Sequence, residues 1–96
     1  MHKFLIHNNG DDVGVATEDI RQGEQVTGVY MDTDESVSVE ARGDIPLGHK
    51  IAVNDIPAGG EVIEYQVRVG LAKEAITVGD YVHVHNIGSA RWSFDT

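Results

Sequence analysis

The chain contains no cysteine, so a disulfide framework and a thiolate metal site are both excluded. Stability must then come from packing or from a partner. Basic residues are also scarce: seven Lys and Arg stand against 16 Asp and Glu, giving a formal charge of −9. A body this acidic repels phosphate backbones, and nucleic acid is not an expected partner. No apolar run reaches the length of a signal-peptide core or a membrane span, so a soluble, cytoplasmic protein with no membrane partner is expected. No glycine cluster opens a helix to cradle a phosphate. Ser36 and Ser89 lack any nucleophile signature around them. The 96 residues fit one domain spanning 1–96, which on folding buries only about 60–65% of its unfolded surface.

Against these absences stands an internal repeat. Ala16, Ile20, Gly23 and Val26 recur as Ala52, Ile56, Gly59 and Val62, and again as Ala72, Ile76, Gly79 and Val82. Each copy reads as a strand, one helical turn, a Gly turn and a strand. Gly supplies the positive φ that a tight turn requires, Ile plugs the turn onto the core, and Ala permits close packing.

Alternation of apolar and polar residues predicts strands at Lys3–His7, Asp12–Ala16, Gln25–Met31, Ser36–Ala41, Glu61–Tyr65 and Tyr81–Asn86. Asn9-Gly10 marks a turn between the first two. Only Gly70 to Ile76 suggests a helix longer than one turn, and Gly79 stops it. The segment 88–96 carries Trp92 and Phe94, aromatic residues expected to dock on this domain or on a partner.

Two segments carry candidate chemistry. In Val82-His83-Val84-His85-Asn86, a strand reading projects His83 and His85 from one face with the two valines on the other. Paired imidazoles can bind a metal or an anion, or carry a proton near neutral pH. The same spacing also fits the wet face of an amphipathic strand, and a metal site needs further ligands. Asn86 adds a hydrogen-bonding tip, and Asn is equally an ordinary turn residue. In Ile45-Pro46-Leu47-Gly48-His49-Lys50, Pro46 and Gly48 define a loop that presents an imidazole beside a cation. Such a pair suits carboxylate binding and polarisation, and also fits a plain structural turn. With so few cations, Arg42 and Arg91 join Lys50 as candidates for attracting an anionic substrate. His2 and His7 share neither a partner nor strand parity and read as surface residues.

Taken in order, Gly14-Val15-Ala16, Asp44-Ile45-Pro46-Leu47-Gly48-His49-Lys50-Ile51-Ala52, Asp55-Ile56, Glu61-Val62-Ile63-Glu64-Tyr65, Gly70-x-Ala72 and Val82-His83-Val84-His85-Asn86 resemble the N-terminal SAF lobe of altronate and galactarate dehydratases. The resemblance implies a mainly β fold, a single compact SAF or β-clip-type domain with short helical turns. It implies that His49 and His85 are catalytic and that Lys50, His83 and Asn86 bind substrate. Most members carry this lobe ahead of a large metal-dependent lyase domain, whereas here the chain stops at Thr96. It is therefore similar to the free-standing small subunit of the sulfolactate sulfo-lyases, which remove sulfite from (2R)-3-sulfolactate to leave pyruvate. That implies a large partner subunit in a separate chain, a small anionic hydroxy-acid substrate, and iron (Fe2+) held mainly by the partner. A split lobe of a sugar-acid dehydratase and a non-catalytic β-clip binding module are the alternatives. One departure concerns Tyr65, which is followed by Gln66-Val67 where the family usually has a Gly, so this turn is expected to be built differently.

Overall fold

A computed structural model describes residues 2–83 and 85–88. Nine short strands form two sheets: β1 (Phe4–Ile6), β2 (Val13–Ala16), β3 (Gln25–Tyr30), β4 (Ser36–Glu40), β5 (Lys50–Ala52), β6 (Glu61–Glu64), β7 (Val67–Ala72), β8 (Tyr81–Val82) and β9 (Ile87–Gly88). The larger sheet has the order β4-β3-β1-β2-β5-β8, and the smaller is β6-β7-β9. All pairs are antiparallel except β1 with β3. One core cluster gathers Phe4, Ile6, Ile20, Val26, Ile45 and Ile51. A second packs Val13, Ala52, Ile56, Val62, Ile76 and Val82. Among the described residues no helix is long and apolar enough to cross a membrane.

The repeat explains this architecture. Each Gly takes a positive φ: 87° at Gly23, 82° at Gly59 and 94° at Gly79. A fourth copy stands at Ala41, Ile45, Gly48 and Ile51, with Gly48 at φ 85°. Its closing residue is Ile51 where the others have Val. The copies then pair reciprocally. Ile20 and Ile45 exchange main-chain hydrogen bonds of 2.9 and 2.8 Å, while Gly23 N donates to Ala41 O and Gly48 N to Ala16 O. Ile56 and Ile76 exchange two bonds of 2.8 Å, while Gly59 N donates to Ala72 O and Gly79 N to Ala52 O. Each copy therefore satisfies the buried backbone groups of another, as buried polar main chain requires.

Three expectations are corrected here. The Ile-to-Gly segment is an isolated bridge followed by a β-turn with Gly third, not a helical turn, and the described residues contain no helix. Gly70 to Ile76 is likewise not helical: its first three residues end β7, and Ile76 bridges to Ile56. Spacings of four and three mimic a helical stripe, yet they are here the intervals at which two extended copies meet. The predicted strand Tyr81–Asn86 stops at Val82, and His83 accepts main-chain bonds from both Asn86 and Ile87, closing a turn. Strands β5 and β7 end at the Ala that opens a repeat copy, and they and β9 lie outside the alternating segments. Opposite β7 the register shifts between Val62 and Ile63, and Val67 and Val69 are exposed. Trp92, Phe94, Arg91 and the rest of 89–96 lie outside the described residues, as does Val84.

The turn after Tyr65 is indeed unusual. Tyr65 and Gln66 both sit at positive φ, 56° and 65°, a two-residue hairpin conformation ordinarily taken by Asn-Gly. Asp11 holds it open. This carboxylate, only 1% exposed, accepts bonds from Tyr65 N (2.9 Å), Gln66 N (3.0 Å) and Asn8 N (3.2 Å). Charge-assisted bonds of this kind offset the roughly 1–3 kcal/mol that each strained residue costs.

Candidate functional site

The loop before β5 is fixed by its backbone. His49 N donates to Pro46 O (3.0 Å), Gly48 N to Ala16 O (2.8 Å), and His49 O accepts from Ala16 N (2.8 Å). Asp19 Oδ1 takes Leu47 N at 2.9 Å from the opposite copy. His49 is thereby held at the mouth of β5. In the β5–β8 register Lys50 faces Val82 and Ile51 faces Tyr81, so one step further His49 lies across from His83. Period-two geometry sends His49, Tyr81 and His83 to one side and Lys50 and Val82 to the other.

A cluster results. Tyr81 Oη lies 2.6 Å from His49 Nδ1, with the two rings edge to face at 5.5 Å. His49 and His83 have ring centroids 5.4 Å apart. Tyr81 lies nearly parallel to His83 at 5.7 Å and tilted against His85 at 5.5 Å. The phenol thus touches all three imidazoles. His49, Lys50 and His83 line a depression of about 340 Å³ together with Gly48, Val82 and Ile87. Tyr81 and His85 face a neighbouring hollow of about 220 Å³ with Arg42, Glu74, Asp80 and Asn86. In that hollow Arg42 Nε is already paired with Asp80 Oδ1 at 2.9 Å.

His83 and His85 both reach the Tyr81 ring, although by a turn and not by strand parity. Asn86 makes that turn. Its Oδ1 accepts His83 N at 2.9 Å and its Nδ2 donates to Tyr81 O at 2.8 Å, so this buried amide is committed to main chain. Lys50 points away from the imidazoles: Nζ lies 3.4 Å from Glu64 Oε1, and the Glu64 side chain is only 8% exposed. A buried carboxylate needs such a partner, and removing the lysine would leave it uncompensated. Sequence reasoning missed both Tyr81 and Glu64. Tyr81 stands two before His83 and so shares its face in any strand reading; Glu64 had no signal, since its partner lies on another strand. Among the described residues no group of three or more His, Asp or Glu is arranged to hold a metal.

Residues 2–90 match the altronate/galactarate dehydratase SAF domain. The chain is similar to the (2R)-sulfolactate sulfo-lyase subunit alpha of Chromohalobacter salexigens, with 39% identity over 93% of this chain and 96% of that subunit. The Paracoccus pantotrophus protein of the same name is 42% identical over 54% of this chain and 78% of its own length. Similarity to the altronate dehydratase of Bacillus subtilis reaches 34% over 90% of this chain, but covers only 16% of that longer protein. With its mainly β fold, its linked motifs in order and a family match across almost its whole length, this chain belongs to the altronate/galactarate dehydratase SAF domain family.

Proposed function

We propose that this chain is the small, non-autonomous subunit of a cytoplasmic carbon–sulfur lyase that eliminates sulfite from (2R)-3-sulfolactate to give pyruvate. One observation carries the reading: the likeness to a sulfo-lyase alpha subunit runs nearly end to end in both chains. A subunit named alpha has a companion, and the imidazole cluster here is one wall of a site that a second, larger chain would complete. Iron belongs with that chain in this reading; it would supply Lewis-acid stabilisation of charge developing at the substrate carboxylate and C2 oxygen.

The elimination sets what the residues must do. A base removes the proton on C2, the electron pair forms the C2–C3 double bond, and the C3–S bond breaks with its electrons leaving on sulfite. The resulting enol takes a proton at C3 and becomes pyruvate. His49 and His85 divide proton transfer and the stabilisation of developing charge between them, and His83 binds an anionic oxygen in the depression it lines with His49. Lys50 lends positive charge at the rim while its ammonium pairs with Glu64, and Asn86 serves the substrate by holding the His83–His85 turn. The second reading, a lobe of a sugar-acid dehydratase losing water, is favoured by the match to altronate dehydratase.

The test is co-expression with a large lyase chain, co-purification, and assay of the complex on sulfolactate and on altronate. Turnover of sulfolactate by the complex and by neither chain alone is expected. His49→Gln and His85→Gln should each lower kcat by about 10²-fold or more, the usual contribution of a proton-transferring side chain or of a preorganised donor to developing charge. Full turnover in both variants, or activity of the small chain alone, would remove this reading, and preference for altronate would install the second.

A further inference from the structure

We propose that Tyr81 is a positioning residue that fixes His49 in one tautomer, with its proton on Nε2, and so makes His49 a hydrogen-bond donor to the substrate and not the base. The functional half of this inference rests on the lyase reading above; the structural half does not.

The argument begins with the phenol. Among the described residues, the hydrogen-bond partner of Tyr81 Oη is His49 Nδ1 at 2.6 Å. A tyrosine hydroxyl keeps its proton near neutrality and is the better donor of the two groups, while a neutral imidazole nitrogen accepts. Once Nδ1 accepts, the imidazole proton must sit on Nε2, because a neutral ring carries one. The nitrogen left for a ligand in the depression that His49 lines is then a donor.

The phenol is itself held on several sides. Its residue is paired with Ile51 in the β5–β8 ladder, its ring packs against the first core cluster, and the ring also lies against His83 and His85. Asn86 Nδ2 binds its carbonyl at 2.8 Å. A donor fixed in this way needs no rearrangement when charge grows on a carboxylate or on the departing sulfite oxygens, which is where preorganised donors act most strongly. The proton on C2 then falls to another base, His85 or a group of the large chain.

Tyr81→Phe removes the hydroxyl and keeps the ring that packs on His83 and His85. Nitrogen-15 spectra of the full chain, at a pH where the imidazoles are neutral, should show His49 Nε2 protonated and Nδ1 with the shift of a hydrogen-bonded acceptor. In Tyr81→Phe that Nδ1 shift should vanish while the His83 and His85 signals stay in place. A proton on Nδ1 in the wild type, or an unchanged Nδ1 in the variant, overturns the proposal. Should the variant fail to fold, the wild-type spectrum alone decides it. In the two-chain complex, Tyr81→Phe should lower kcat about tenfold, the equivalent of one lost hydrogen bond of about 1.4 kcal/mol, with KM little changed. An active complex whose His49 lacks this signature refutes the positioning role alone; a correct signature in a complex inert on both substrates refutes the lyase reading alone.

Discussion

The two pairs of repeats share one backbone and differ in what holds it. In the first pair, copies 16–26 and 41–51, each turn is capped by the Asp of the other copy: Asp44 takes Gln22 N at 2.8 Å and Asp19 takes Leu47 N at 2.9 Å. In the second pair, copies 52–62 and 72–82, Asp55 takes Val78 N at 2.9 Å, but the equivalent position opposite Ala58 is Ala75. The second pair instead leans on the first. Gly79 O accepts Arg42 N at 2.9 Å, and Arg42 also pairs with Asp80. The main-chain exchange is common to both pairs, whereas their docking combines a main-chain bond with the Arg42–Asp80 ion pair. The candidate site lies on that seam, with His49 supplied by the first pair and Tyr81 by the second.

The sharpest way to break this comparison is at the seam glycine. A Cβ on Gly79 would lie 2.0 Å from Glu40 O at φ +94°, whereas one on Gly59 meets nothing within 4 Å at φ +82°. Gly59→Ala should therefore lose roughly 1–3 kcal/mol from backbone strain alone. Gly79→Ala adds overpacking of roughly 1–3 kcal/mol and should disturb the His49–Tyr81 contact. Urea melts of the two variants measure the difference; equal losses would mean that the pairs are not tightly seated on each other.

A smaller effect tests the caps. Asp19→Ala should cost about 1 kcal/mol, as loss of a capping oxygen does elsewhere. Ala75→Asp should add a stabilisation of about 0.5–1.5 kcal/mol by supplying the missing acceptor for Ala58 N. Thermal melts of both variants report the two signs, and a destabilising Ala75→Asp would show that the second pair is not equivalent to the first.

The smallest effect is electrostatic and lies at the surface of the first pair. The Lys3 ammonium hydrogen-bonds Glu24, and together with the Arg21 backbone it holds the Glu24 carboxyl below the ordinary glutamate range. The same bond raises the Lys3 ammonium. A lowered carboxyl stabilises the fold above its ordinary value, and that contribution disappears as pH falls through the folded value. A raised ammonium stabilises below its ordinary value and is lost as pH rises through the folded one. Glu24→Gln should therefore differ from the wild type near neutrality and converge with it in acid, in melts followed across pH.

Much was legible from residue types because their constraints are local. Positive φ demanded glycine at Gly23, Gly59 and Gly79 wherever the chain was to go next. Strict alternation placed β4, and Asn9-Gly10 placed its turn. The linked motifs pointed to the family, His49 lies against His83, and His85 joins them through Tyr81. The helical reading of Gly70–Ile76 failed because a spacing of four and three is ambiguous until a partner copy is known. The parity argument for His83 and His85 failed because Asn86 closes a turn that no local rule distinguishes from a strand end.

The sequence by itself determined where the chain turns and which side chains are apolar plugs, since each is a property of one residue and its immediate neighbours. Only the tertiary structure decided which copies pair, that Tyr81 reaches His49 across 32 residues, and that Lys50 turns from His49 toward Glu64. Strand register is set by the whole packed assembly, and a shift of one residue exchanges the two faces of a strand.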